Sequence, residues 1–304
     1  MKAIDLFAGA GGFSTGATMA GAQVVWAANH WPLAVECHAA NHPSAAHVCQ
    51  DLHQANWQNV PAHDLLLASP CCQGHSKARG KSSGNPQHDA SRSTAWAVVS
   101  AAEFHRPAAF VVENVPEFLD WALYPAWEAA MKALGYSLVP HVIDAADHGV
   151  PQNRVRMFLV GTRSKAPLKL TLQPREHVPA LSFVDLESGN WSNIHRPGRA
   201  LATLGRIANG RTSHGSRFLT AYYGNEKGGR CLSRPIGTIT TRDRWAIVDG
   251  DHMRMLSAQE CRAAMGFPAD YRLPKQHRSA VHLLGNAVCP PVARDVISAV
   301  MAAI

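Results

Sequence analysis

The first half of the chain alternates short apolar runs with stretches of helical period. "KAIDLF", "AQVVWAAN", "HDLLLAS", "AAFVVENV" and "RMFLVGT" have the length of buried strands. Between them lie helix-length segments such as "FSTGATMAG" and "RSTAWAVVSAAEFHR". Near-continuous apolar strands separated by helices predict a parallel sheet with helices on both faces, an α/β architecture. Ligands of such sheets sit at the carboxyl ends of the strands, where Gly9, Cys72 and Glu113 are all expected. After Thr162 the texture changes. From about Ser164 to Arg244 the chain is rich in Pro, Gly, Asn, Arg and Thr, and its apolar runs are short, which predicts a smaller irregular domain. "GNAVCPPVARDVISAVMAAI" returns to helical period, so the tail is expected to rejoin the first domain. The expected division is a domain over 1–180 completed by 275–304, and a small one over 181–274.

Composition narrows this picture. The 304 residues carry 29 Lys and Arg against 22 Asp and Glu, a net charge of +7 that favours a polyanionic partner. Neither a signal peptide nor an apolar run of spanning length is legible, so a cytoplasmic chain without membrane contact is expected. Seven cysteines and no paired C-x-x-C spacing argue against a disulfide framework or a structural zinc site, and no metal is expected. The 17 histidines are scattered and read as surface or hydrogen-bonded residues.

Candidate chemistry lies at the ends of the apolar runs. "IDLFAGAGGFSTG" reads as a strand, a glycine turn and a helix. Gly9, Gly11 and Gly12 allow a ligand close to the backbone, and Phe7 lies beside them. The spacing is not G-x-G-x-x-G, and alone the turn fits a ligand cradle and a plain turn equally. Asp5 in a buried strand is costly unless it accepts hydrogen bonds, which favours the cradle. The second strand ends in "AANHWP", with His30 where an acidic ribose ligand is usual, and with Trp31 fit to stack on a base or to fill a core. Asp51 could accept from an adenine amino group or make a turn. In "SPCCQGHSKARGKSSG" two thiols precede a basic, glycine-rich stretch. Positive charge there raises the reactive thiolate fraction, although a free cysteine is more often a small buried hydrophobe. Glu113 and Asn114 end a buried strand as an acid–base candidate or as a helix cap. "PQNRVRMFLVG" predicts Arg154 and Arg156 on one strand face, suited to an anion or a carbonyl, or to a surface ladder.

Taken in order, these segments resemble the C5-cytosine DNA methyltransferases over nearly the whole chain. "DLFAGAGGFSTG" is similar to the family's first cofactor motif, "SPCCQGHS" to its nucleophile motif, "ENV" to its acid motif and "QNRVR" to its paired-arginine motif. "RPIGTITTRDR" and "GNAVCPPVA" resemble its two later blocks. The resemblance implies a Rossmann-like S-adenosylmethionine-dependent methyltransferase sheet and a small target-recognition domain. It implies Cys72 as the nucleophile, Cys71 standing where the family has a second proline and His75 where it has an aromatic. Cys72 would add to cytosine C6 while Glu113 bonds or protonates N3 and Arg156 steadies the base carbonyl, with Arg154 beside it. The base must leave the stack to be reached. Cofactor contacts are implied for Phe7, Gly9, Gly11, Gly12, His30, Trp31, Asp51, Leu52, Asn286 and Val288, with DNA contacts for Ser76, Lys77, Arg79, Lys81 and Arg242. Target recognition is expected between Thr162 and Arg234, where Arg196, Arg199, Arg206, Arg211, Arg217, Lys227 and Arg230 cannot be sorted into phosphate and base contacts. Double-stranded DNA is the expected partner and a monomer the expected state, with a restriction endonuclease of the same site left open. A tRNA cytosine methyltransferase is the alternative, since one branch of the family shares this catalytic kit.

Overall fold

The structure, a computed structural model, describes residues 1–71, 94–164, 166–222 and 228–304. Cys72, Ser76, Lys77, Arg79, Lys81 and Lys227 lie outside them. The described chain divides into two compact units. The first contains Met1–Asp144, Val155–Pro174 and Ala287–Ile304, the second Ala145–Arg154 and Arg175–Asn286.

The first unit is built on seven strands: β1 (Lys2–Leu6), β2 (Gln23–Asn29), β3 (Ala46–Cys49), β4 (Leu65–Ala68), β5 (Ala109–Asn114), β6 (Ser137–Asp144) and β7 (Val155–Thr162). Their order is β3-β2-β1-β4-β5-β7-β6. The first five are parallel, but β7 runs antiparallel to both β5 and β6, so the sheet is mixed rather than wholly parallel. β6 escaped the apolar-run reading because "SLVPHVID" contains Pro140. A proline donates no ladder bond, and β6 lies at the sheet edge, where that is tolerated.

Side-chain alternation sends residues to two helical layers. Ile4, Leu6, Leu66, Phe110, Val112 and Leu159 form one fully buried cluster with α3 (Trp96–His105) and α4 (Tyr124–Ala133). On the other face Asp5 bonds α1 (Gly12–Met19), and Phe13 of α1 meets Phe158 edge-on, ring centres 6.2 Å apart. α1 also packs on α8 (Pro290–Ala303), tightly enough that a Cβ on Gly16 would stand 2.4 Å from the Ala293 Cβ. The strand order reverses between β1 and β4, which is where sheets of this kind take their ligands.

The second unit is more regular than its composition predicts. Five short antiparallel strands, β8 (Ser192–Asn193), β9 (Arg217–Ala221), β10 (Gly229–Arg230), β11 (Trp245–Asp249) and β12 (His252–Met255), lie in the order β10-β9-β11-β12-β8. A 14-residue helix, α5 (Leu201–His214), packs Ile207 against Phe218, Val248 and Met253. Gly205 and Gly210 masked it in the sequence, yet Gly210 is what admits the Phe218 ring, since a Cβ there would lie 2.2 Å from it. α6 (Ala258–Ala264) and α7 (His277–Asn286) follow. Among the described residues no helix is long and apolar enough to cross a membrane.

Candidate active site and cofactor cradle

The glycine turn is built by a sequence few other residues would tolerate. Phe7, Gly9 and Gly11 all have positive φ, at 61°, 55° and 80°. Glycine adopts this at little cost; Phe7 is strained by of order 1–3 kcal/mol, and such strain clusters at ligand sites. Gly11 caps α1 without a side-chain hydrogen bond of its own, and of the first-turn N–H groups that of Ser14 is taken by Asp5. Asp5 lies fully buried beneath, its Oδ2 accepting from the Ser14 N–H at 3.1 Å and the Ser14 hydroxyl at 2.7 Å. Those bonds are the compensation that a buried strand carboxylate requires. A shallow cavity beside the turn is lined by Ala8, Gly9, Ala28, Asn29, His38 and His47, among others.

The remaining cofactor candidates lie on several elements. His30 is exposed at the end of β2, and its carbonyl accepts from the Cys49 thiol at 3.7 Å. Trp31 caps α2 (Pro32–Asn41) and donates its N–H to the Asn29 side chain at 3.0 Å. Asp51 is exposed and accepts the His53 N–H at 3.0 Å, which is the turn role; Leu52 beside it is buried. Val288 is buried just before α8 in the first unit, whereas the exposed Asn286 ends α7 in the second.

The acid and one arginine come together. Glu113, 7% exposed, lies near the end of β5, and its Oε1 is 3.3 Å from the Nε of Arg156 on β7. Asn114 bridges to the next strand end: its amide donates to the Pro70 carbonyl at 3.1 Å while its Oδ1 accepts the Val115 N–H at 2.8 Å. The segment leading to Cys72 is thereby tied to the strand that carries Glu113. Cys71 in turn donates its N–H to the Thr94 hydroxyl at 3.2 Å, a contact between distant residues that no sequence pattern announced.

Arg154 does not share a strand face with Arg156. β7 begins at Val155, and Arg154 belongs to the second unit, where its buried guanidinium donates to the carbonyls of Ile239 at 3.0 Å and Gly285 at 2.9 Å. Gln152 works alongside it. Its amide donates to the Ala264 carbonyl at 3.1 Å and its oxygen accepts the Ile239 N–H at 2.7 Å. The "QNR" triplet therefore fastens the "RPIGTITTRDR" block into the second unit.

The structure also begins to sort the recognition-region arginines. Arg199 donates to the carbonyls of Ile194 and Asn193 and to the Ser192 hydroxyl. Arg211 bonds Asp251, and Arg217 bonds Asp249. Arg206 and Arg230 lie over the rings of Tyr222 and Trp245. Arg196 and Arg242 are exposed. Among the described residues no group of His, Cys, Asp and Glu is disposed to hold a metal ion.

Comparison with known proteins gives one family. A model described as C-5 cytosine-specific DNA methylase matches residues 1–227 and 209–302. Type II methyltransferase M.NlaX of Neisseria lactamica is 26% identical over 322 residues, covering 100% of this chain and 97% of the relative. Type II methylase M.HgiEI of Herpetosiphon aurantiacus is 36% identical over 171 residues, which span 54% of this chain and 38% of the relative. In fold, the chain is similar to a candidate DNA modification methyltransferase encoded within an E. coli prophage, with a TM-score of 0.73 at 20% identity over 99% of both chains.

Proposed function

Because this chain belongs to the C-5 cytosine-specific DNA methylase family, and is thus an enzyme that methylates C5 of cytosine in DNA, we propose that Cys72, Glu113 and Arg156 carry its chemistry and that the Phe7–Gly12 turn holds its cofactor. The observation that carries this reading is the Glu113–Arg156 pair at a strand end that Asn114 ties to the Pro70–Cys71 segment. Cytosine C5 is a poor nucleophile until something adds to C6. The Cys72 thiolate adds there, and the lysines and arginine that follow it in sequence raise its reactive fraction. Glu113 bonds or protonates N3 as electrons move into the ring, while Arg156 orients Glu113 and steadies the base carbonyl. That addition makes C5 nucleophilic toward a methyl donor; once C5 carries the methyl group, loss of its proton to a base and elimination of the thiolate restore the aromatic ring.

The cradle fits S-adenosylmethionine. It offers a glycine N-cap and left-handed backbone for close approach, with Trp31 for the adenine and His30 for the ribose. When bound, that cofactor supplies an electrophilic methyl group on a positively charged sulfur. The arrangement supports a positioning role for Arg154, which holds the second unit, and a target-recognition role for that unit. Duplex DNA is the substrate, and relatives of restriction–modification type make a companion endonuclease of the same site a natural partner.

Bisulfite sequencing of DNA from an expressing, methylation-free host tests the activity and reports the target site. Radiolabelled cofactor offered with duplex DNA and with tRNA separates the two polynucleotides. Label confined to tRNA overturns the reading.

A further inference from the structure

Three histidines that look scattered in the sequence converge behind the glycine turn. His38 on α2 has one ring nitrogen, Nδ1, 2.8 Å from His47 Nε2 on β3, and the other, Nε2, 2.9 Å from the Ser14 hydroxyl. Ser14 then donates to Asp5. His42 Nε2 stands 3.1 Å from the Thr15 hydroxyl, and the His38 and His42 rings are 4.6 Å apart. Ionised Asp5 can only accept, so the inner part of the chain has one direction: His38 donates to Ser14 and Ser14 to Asp5. The neutral His38 then turns its Nδ1 lone pair toward His47, whose ring also bonds the Ala45 backbone. The chain opens on the cavity that His38 and His47 line with Ala8 and Gly9, and it ends under the turn.

Asp5 is the vulnerable end. Its Oδ1 is buried and has no hydrogen-bond partner. A proton there would create a buried, unpaired O–H. A proton on Oδ2 would displace the Ser14 hydroxyl as donor. Either weakens bonds that are charge-assisted while Asp5 is an anion. Since Ser14 lies in the first turn of α1, just after Gly11 and Gly12, the loss would be felt by the cradle itself.

We propose that His47, His38, Ser14 and Asp5 form a proton-linked brace for the glycine turn, with His38 as a positioning residue, so that only the Asp5 anion supports the cofactor-binding shape. The proposal rests on the reading that the cofactor binds at this turn. Burial pushes the Asp5 carboxyl up to about 7 against the pull of its two Ser14 bonds, so the brace switches near neutral pH. Among the described residues the titratable groups beside it are these. Burial, His42 and His47 keep His38 well below the usual histidine range, and burial raises the neighbouring Cys37 thiol to about 11. On the α8 side of α1, Arg294 is paired with Asp295.

The test is calorimetry of S-adenosylhomocysteine, whose sulfur is uncharged, at pH 8 and pH 6 in a His30→Gln background that removes the other imidazole of the cradle. If binding needs the anion, the apparent dissociation constant rises about tenfold between these pH values. Asp5→Asn should flatten the profile, and His38→Leu should move its midpoint while His38→Gln, which can still accept and donate, restores it. Carbon-13 NMR of the Asp5 carboxyl needs no variant to fold: its midpoint should fall by about one pH unit on ligand binding. A pH-independent affinity, a profile unchanged in Asp5→Asn, or a midpoint that ligand leaves in place overturns the brace. Failure of the ligand to bind at any pH would instead remove the cofactor reading.

Discussion

Arg156 on β7 places its Nε 3.3 Å from the Glu113 Oε1 on β5, although 43 positions separate the two in the chain. Antiparallel pairing of β5 with β7 sets Asn114 opposite Met157 and so delivers Arg156 to the strand end that carries Glu113. Glu113→Gln keeps the shape but loses the charge and the acid. Single-turnover methyl transfer should slow by about 10²-fold or more, with DNA affinity nearly unchanged. Arg156→Ala should also slow the chemical step, because the buried carboxylate loses the guanidinium that orients it. A near-normal single-turnover rate in Glu113→Gln removes it from the mechanism.

The adjacent thiols differ in what the proposal asks of them. Cys72→Ala should abolish transfer, while Cys71→Ala, which keeps the backbone bond to Thr94, should retain substantial activity. Duplex DNA containing 5-fluorocytosine should form a stable adduct, since fluorine cannot leave C5 as a proton. Peptide mapping of that adduct to Cys71 would reverse the assignment.

Much of this was legible in the chain, for reasons specific to each segment. Buried parallel strands are uninterrupted apolar runs, so β1, β4 and β5 stand out, and the polar residues at their ends mark the site. β6 was not legible, because an edge strand need not be apolar and can carry Pro140. The direction of β7 was not legible either, since periodicity has no sign. Arg154 and Arg156 were read as one pair because spacing cannot show that a strand begins between them. The histidines are hydrogen-bonded, as scattered histidines often are, but their convergence was not legible. His38 and His47 lie on different elements, and neither has a neighbour in sequence that marks it.

Arg154 separates a structural role from a catalytic one. Its guanidinium serves two carbonyls, and removing it leaves both without a charged donor. Arg154→Ala should destabilise the second unit by about 2 kcal/mol or more. Thermal unfolding should shift down, while the single-turnover rate measured well below the transition falls far less than in Glu113→Gln. A normal transition with lost chemistry would return Arg154 to the reaction.

Stability should fall in acid. Burial holds His42 and His63 down at about 4, and His38 well below the usual range. The unfolded chain takes up these protons near 6.5, whereas the folded one refuses them until far lower, so stability is lost as pH drops through that window. Asp5, raised to about 7, acts oppositely, since the folded protein gains its proton before the unfolded chain does. Three histidines outweigh one carboxylate. The thermal midpoint should therefore decline from pH 7 to pH 4.5, and His63→Gln should lessen the slope. A midpoint that rises over this range would show that Asp5 dominates.

His30 stands where the family resemblance implies a glutamate. Two carboxylate oxygens can accept from both ribose hydroxyls, whereas a neutral imidazole has a single acceptor nitrogen. Hydrogen bonds to a charged group contribute about 1.5–3 kcal/mol against about 0.5–1.5 for neutral ones. His30 is exposed at the end of β2, and its backbone is held by the Cys49 thiol, so a longer side chain meets no packing obstacle that would disturb the turn. His30→Glu should therefore bind S-adenosylmethionine about tenfold more tightly in calorimetry, with the thermal midpoint of the ligand-free protein little changed. An affinity equal to or weaker than that of the wild type would assign the ribose to another group and leave His30 as a solvent-facing residue.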